Sequence, residues 1–164
     1  MADGVIVQAV EASRTYLLRQ QVLRPNLAVE DMALFGDDGP DTGIYGAIDE
    51  ASGELVGTAN VRREEPPPGL AESVAPDNNG DPWRLRGMAT REDLRGTGIG
   101  AAMLEACVRH VAGRGGGLLW CNARVTARRF YARAGLAEWG DEFESVGTTH
   151  IVMWRIVPPE GSTA

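Results

Sequence analysis

Arg95-Gly96-Thr97-Gly98-Ile99-Gly100 stands between an extended run ending Met88-Ala89-Thr90 and an amphipathic helical pattern that begins near residue 98. Glycines at alternate positions let a chain turn tightly and leave its N–H groups unobstructed. At the start of a helix those donors add to the positive end of the dipole. The chemistry that suits residues Arg95 to Ala101 is the holding of a pyrophosphate. The charge distribution agrees. Residues 83–133 carry ten arginines against Glu92, Asp93 and Glu105, a balance of +7, whereas residues 1–82 carry five against fifteen acids, a balance of −10. The whole chain of 164 residues stands at −7. A cationic centre within an acidic chain favours a small polyanion such as a phosphorylated cofactor, and it argues against nucleic acid, whose partners are usually basic throughout.

Other chemistries fall away on particular residues. Every basic side chain apart from the two histidines is an arginine, so a Schiff-base lysine and a P-loop lysine are excluded. Gly96 to Ala101 also fits the loose dinucleotide pattern G-x-G-x-x-A. That fold wants an acid near the end of the next strand, and Leu118-Leu119-Trp120-Cys121-Asn122 has none. There is no G-x-S-x-G elbow for a hydrolytic serine. Cys107, His110, Cys121 and His150 could ligate a metal in principle, but Cys107 is needed on the apolar face of its helix and no paired C-x-x-C exists, so no metal site is expected.

The elements that would position the glycine-rich turn can be read from periodicity. Val5 to Val10 reads as a strand and Ala12 to Leu23 as a helix that Pro25 stops. Ile44 to Ile48 and Glu54 to Val61 form an antiparallel hairpin around the turn-prone residues 49–53. Arg63 to Pro82, with Pro66-Pro67-Pro68 and Asp77-Asn78-Asn79-Gly80-Asp81, reads as a mobile loop within the domain. Trp83 to Ala89 is a strand. The helix after the glycines buries Ile99, Met103, Leu104, Cys107, Val108 and Val111 and ends at Gly115-Gly116-Gly117. Leu118 to Asn122 is then a buried strand, parallel to the one before the helix. Thr126 is placed to cap a short helix over residues 127–134 that Gly135 stops, and strands follow over 137–144 and 149–157. The expectation is one α/β domain over residues 1–157, a central mixed twisted sheet of six to seven strands with helices on both faces, then a polar tail over 158–164. An exposed final strand would suit a homodimer.

The stretch LRGMATREDLRGTGIGAAML resembles the cofactor-binding motif of the GNAT superfamily of N-acetyltransferases, with Arg95, Gly98 and Gly100 meeting its pattern. Downstream, ARVTARRFYARAGL resembles the second motif of that family through Ala127, Phe130, Tyr131, Gly135 and Leu136. The resemblance implies a GNAT-like acyl-CoA N-acyltransferase fold and acetyl transfer from acetyl-coenzyme A to a primary amine. Met88, Ala89 and Thr90 would pair with the pantetheine arm, one N–H there polarising the thioester carbonyl, and Arg95, Gly96, Thr97, Gly98, Ile99, Gly100 and Ala101 would hold the pyrophosphate. Arg91, Arg95, Arg128, Arg129 and Arg133 are the arginines at hand for the remaining phosphate. Tyr131 would be the general acid for the departing thiolate.

The match has departures. Many members place an asparagine seven residues before the tyrosine, where this chain has Arg124; Asn122, two residues earlier, could face the same side. The strand over 83–89 contains no acid, which leaves Glu64, Glu65, Glu142, Glu144, His150 or solvent as the base. These departures keep open a non-catalytic coenzyme-A-binding sensor as the alternative. The acceptor, a small molecule or a peptide amine, is not encoded in a portable motif, because specificity in such folds lies in the first helix and the loops. The acidic first half would attract a cationic one. No apolar run approaches the ~20 residues that span a bilayer. The opening MADGVIVQAVEAS lacks the pattern of a secretory signal, and two cysteines build no disulfide framework, so a cytoplasmic protein is expected.

Overall fold

The structure, a computed structural model, describes residues 3–33, 37 and 39–161. Its seven strands are β1 (Val5–Ala9), β2 (Gly43–Asp49), β3 (Leu55–Arg63), β4 (Trp83–Thr90), β5 (Gly117–Arg124), β6 (Ala137–Ser145) and β7 (Thr148–Val157), in one mixed sheet of order β1-β2-β3-β4-β5-β7-β6. The helices are α1 (Tyr16–Leu23), α2 (Leu70–Val74), α3 (Ile99–Ala112) and α4 (Arg128–Arg133). The chain divides into two compact units, the first running to Arg62 and including Leu85–Val108, the second comprising Arg63–Arg84 and the chain from Arg109 on.

In the first unit β1, β2 and β3 are antiparallel neighbours, as the hairpin pattern predicts. The β-branched and small residues of β3 (Val56, Ala59, Val61) are fully buried, and α3 turns Ile99, Met103 and Cys107, spaced by four, toward the core. Gly57 is where helix and strand meet most closely: a Cβ there would stand 2.8 Å from Met103 Cε and 3.0 Å from Ile99 Cγ2. The same unit buries an ion pair. Arg19, on α1, donates to Asp37 Oδ2 at 2.9 Å and Oδ1 at 3.3 Å, and Asn60 Nδ2 donates to Asp37 Oδ1 at 3.0 Å. Both charged side chains are almost wholly enclosed, at 2% and 3% exposure.

In the second unit β5, β7 and β6 are antiparallel, with β7 in the middle. The final strand is therefore not an edge. The edges are β1 and β6, and β6 carries a bulge between Trp139 and Phe143 together with the exposed acids Glu138, Asp141, Glu142 and Glu144. Bulges and charge deter pairing with another chain, so the expected basis for a homodimer is absent from the final strand. Residues 63–82 are not loop throughout either. β3 runs into this segment, α2 follows Gly69, and Leu70 is fully buried in a cluster with Leu118, Trp120 and Val152. The three prolines hid that helix, and one buried leucine anchors it.

Parallel pairing of β4 with β5 joins Trp83 to Leu119 and Arg84 to Trp120. Gly117, with φ +141°, lies so close to the Asp81 carbonyl that no side chain fits there. Thr126 does not cap α4. It sits inside a 3-10 turn, Val125–Ala127, and Ala127 holds the cap position without a side-chain hydrogen bond. The polar tail is described to Gly161, with the Glu160 N–H bonded to the Ala112 carbonyl at 2.8 Å; residues 162–164 lie outside the described residues.

Removing one partner of a buried pair strands the other charge. Asp37→Ala is therefore expected to lower unfolding stability by about 3–5 kcal/mol in a urea titration. A loss below about 1 kcal/mol would mean that the pair does not hold α1 to β3.

Candidate functional site

The first unit brings together the residues expected at a phosphate. β4 runs through Gly87, whose φ of +63° lies in the left-handed region that favours glycine, and continues through Met88, the buried Ala89 and Thr90. A 3-10 turn over Glu92–Leu94 follows, then Gly96 at φ +80° and Gly98 at φ +89°, and α3 begins at Ile99. Two left-handed residues two apart fold the backbone back on itself just before the helix. The first bond of the helical ladder is from Ala102 N–H to the Gly98 carbonyl, at 3.1 Å. The N–H groups of Ile99, Gly100 and Ala101 therefore precede the ladder and have no carbonyl within it, at the positive end of a 14-residue helix. Such an arrangement can hold an anion.

Side chains around this turn brace it. The Thr97 hydroxyl donates back to the Leu94 carbonyl at 2.6 Å. Arg91 grips Asp93 through Nε at 2.7 Å and Nη2 at 3.1 Å, reaches Glu54 at 3.1 Å, and donates its backbone N–H to the Val56 carbonyl at 2.8 Å. The hydrogen bonds between them lower the pKa of Asp93 below the ordinary aspartate value and raise that of Arg91. Arg91 was expected among the arginines at hand for a phosphate; its guanidinium instead ties the turn to the tip of the β2–β3 hairpin. Arg95 and Gly96 are exposed, and a Cβ on Gly96 would meet nothing within 4 Å.

The second unit holds the remaining candidates. Tyr131 is buried on α4, edge-on to Phe130 with ring centroids 5.1 Å apart. Its carbonyl accepts from Ala134 and Leu136 as Gly135, at φ +90°, ends the helix. Arg128, expected at a phosphate, pairs with Glu138 at 3.0 Å and stands 3.8 Å from Glu142. Asn122 is half-buried on β5 opposite Val152 of β7. His150 is buried, its ring stacked on Phe143 at 5.7 Å and its Nδ1 3.0 Å from the Thr148 carbonyl.

Three of the four carboxylates considered as bases are engaged. Glu64 accepts from Arg84 at 2.8 Å, Glu142 faces Arg128, and Glu144 accepts from the Thr149 hydroxyl. Two features of the site escaped sequence reasoning. The tie through Arg91 depends on tertiary neighbours, and the kink at Gly87 had only a lone glycine inside a strand pattern as its signal.

The strand order defines a mixed α/β fold with a glycine-rich turn directly before α3. The sequence pattern of the family described as Acetyltransferase (GNAT) domain matches residues 44–156. The chain is 30% identical over 150 residues to the uncharacterized N-acetyltransferase YitI of Bacillus subtilis strain 168, covering 91% of this chain and 94% of that protein. Among solved structures, it is similar to an aminoglycoside 6'-N-acetyltransferase complexed with coenzyme A, with TM-score 0.69 and 15% identity over 96% of this chain and 99% of that one. It is also similar to the ribosomal-protein-S18-alanine N-acetyltransferase of Escherichia coli, with TM-score 0.69 and 16% identity over 98% of each chain. The chain belongs to the GNAT family and is an acetyl-CoA-dependent acetyltransferase.

Neither cysteine is a candidate nucleophile. Burial raises both thiols, Cys121 to about 12 and Cys107 further, so both stay protonated at neutral pH. Iodoacetamide at about pH 8 should leave both unmodified in the folded protein and alkylate both in urea, as read by intact mass. Rapid modification of the folded protein at either position would contradict that burial.

Proposed function

We propose that the chain transfers the acetyl group to a primary amine by direct attack, with the turn from Arg95 to Ala101 receiving the diphosphate of coenzyme A and Tyr131 serving as general acid. The observation that supports this reading most is the pair of left-handed glycines, Gly96 and Gly98, set directly before α3. They leave three N–H groups ahead of the helical ladder and open room beside Gly96, as a diphosphate requires. Acetyl-coenzyme A, when bound, supplies an activated acetyl thioester.

The residues of this chain do the rest. The backbone from Met88 to Thr90 offers an extended edge to the pantetheine arm, and one of its N–H groups polarises the thioester carbonyl. Arg95 adds positive charge for the phosphates, while Arg91 keeps the turn in shape. A tyrosine phenol is protonated at neutral pH and can donate to a departing thiolate within hydrogen-bond reach. Glu64, Glu142 and Glu144 already hold partners, which leaves Glu65, His150 or solvent to take the proton of the acceptor ammonium.

Two variants separate binding from chemistry. Calorimetry should give micromolar binding of acetyl-coenzyme A to the wild type and none to Gly98→Asp, whose carboxylate would repel the diphosphate. Tyr131→Phe should bind the cosubstrate as the wild type does yet lose roughly 10²-fold in kcat. Unchanged kcat in Tyr131→Phe would remove the tyrosine from the mechanism, and undiminished binding by Gly98→Asp would move the diphosphate elsewhere.

A further inference from the structure

Between β2 and β3 the chain makes a turn whose shape its own side chains fix. The Asp49 carboxylate accepts from the Ala51 N–H at 3.2 Å and from the Ser52 hydroxyl at 3.0 Å, and that hydroxyl in turn accepts the Glu54 N–H at 3.2 Å. The Glu54 carbonyl takes the Asp49 N–H at 2.9 Å, and Arg14, just ahead of α1, donates to the Gly53 carbonyl at 3.1 Å. Glu54 is thus held through both of its backbone polar groups before its side chain makes any contact.

That side chain reaches Arg91, with Oε2 3.1 Å from Nη1. Arg91 is fixed to β3 a second time, through its N–H on the Val56 carbonyl at 2.8 Å. Its remaining nitrogens, Nε and Nη2, fork onto Asp93 at 2.7 and 3.1 Å. One guanidinium therefore links a turn of defined shape to the 3-10 turn that leads into Gly96 and Gly98. A planar fork fixes direction as well as distance, which a lysine in its place could not do.

Folding stability does not account for this link. Side-chain exposure is 34% at Arg91, 58% at Glu54 and 63% at Asp93, and ion pairs so exposed contribute little to folding. The charges are also unfavourable for an anion taken alone. Two carboxylates surround one guanidinium beside the turn that the reading above gives to the diphosphate, and acids left unpaired there would repel it.

We propose that Glu54 is a positioning residue for coenzyme A: through Arg91 and Asp93 it sets the direction in which the backbone from Arg95 to Ala101 presents its N–H groups. The inference rests on the diphosphate reading and adds to it a residue that lies outside both family motifs. The two roles open to a carboxylate at this place predict opposite signs. As a bystander charge, Glu54 weakens the binding of an anion, and Glu54→Gln tightens it. As a positioning residue it supports binding, and Glu54→Gln weakens it.

Calorimetry with coenzyme A reads that sign. Glu54→Gln should raise the Kd about fivefold, the size of a coupling between residues in contact, with the urea midpoint unchanged. Arg91→Gln should raise it further, because Asp93 and Glu54 are then both unpaired, and Glu54→Gln added to Arg91→Gln should give no additional loss. Glu50→Gln removes the same charge from an exposed residue of the same turn that makes no tie to Arg91, and it should not raise the Kd. A Kd lowered or unchanged in Glu54→Gln, an equal rise in Glu50→Gln, or additive losses in the double variant would each overturn the positioning role. Gly98→Asp separates this result from the reading beneath it. If Gly98→Asp binds coenzyme A as the wild type does, the diphosphate lies elsewhere and both fall; a defect in Gly98→Asp with an unaffected Glu54→Gln overturns the positioning role alone.

Discussion

The first unit depends on how closely α3 can lie against β3. Gly57 has no side chain, and Met103 and Ile99 occupy the space that one would take. That contact sets the height of α3 above the strand, and with it the position of the N-terminus that the glycine turn exposes. A bulkier residue at 57 would need the flexible Met103 tip and the stiffer Ile99 to move, and any displacement would be passed to the N–H groups at residues 99–101. The tie from Arg91 to Asp93 and Glu54 acts on the same turn from its other side. Packing below and ion pairs above fix one short stretch of backbone, which has little structure of its own.

The second unit obeys a different constraint, the register of three antiparallel strands. Because β7 lies between β5 and β6, His150 and Val152 to Trp154 have cross-strand neighbours on both sides, and a side chain on one face is committed to that face. The face covered by α2 is apolar up to Trp120 and Val152 and becomes polar at Asn122, Arg124 and His150. The opposite face takes Glu138 and Glu144 of β6, with Arg128 of α4 paired to Glu138. A one-residue slip would exchange these sets, so the bulge in β6 matters as much to the chemistry as to the edge it protects.

What could be read from the sequence was what is local. The glycine turn, the period of α3, the β2–β3 hairpin and the stop at Gly135 each rest on residues within one or two turns of each other, and their types suffice to predict them. The family resemblance likewise rested on contiguous motifs. What escaped was set by distant partners. Arg91 and Arg128 read as free cations because Glu54, Glu138 and Glu142 are remote in sequence. α2 was hidden in a proline-rich segment because its stability comes from burying Leu70 against β5 and β7 rather than from helix propensity. Thr126 had the right chemistry for a cap, but the chain makes a 3-10 turn there and needs none. The last strand in the chain, β7, is not the last in the sheet, because strand order cannot be counted from chain order.

The central claim is that backbone N–H groups at the turn before α3 hold the phosphates of the cosubstrate. Backbone amide shifts of residues 96–101, recorded as coenzyme A or phosphate-free pantetheine is added, test it most directly. The account predicts large shifts at Gly96, Gly98 and Gly100 with coenzyme A and small ones with pantetheine. Amides that stay in place while coenzyme A binds, or that respond equally to both compounds, would contradict it.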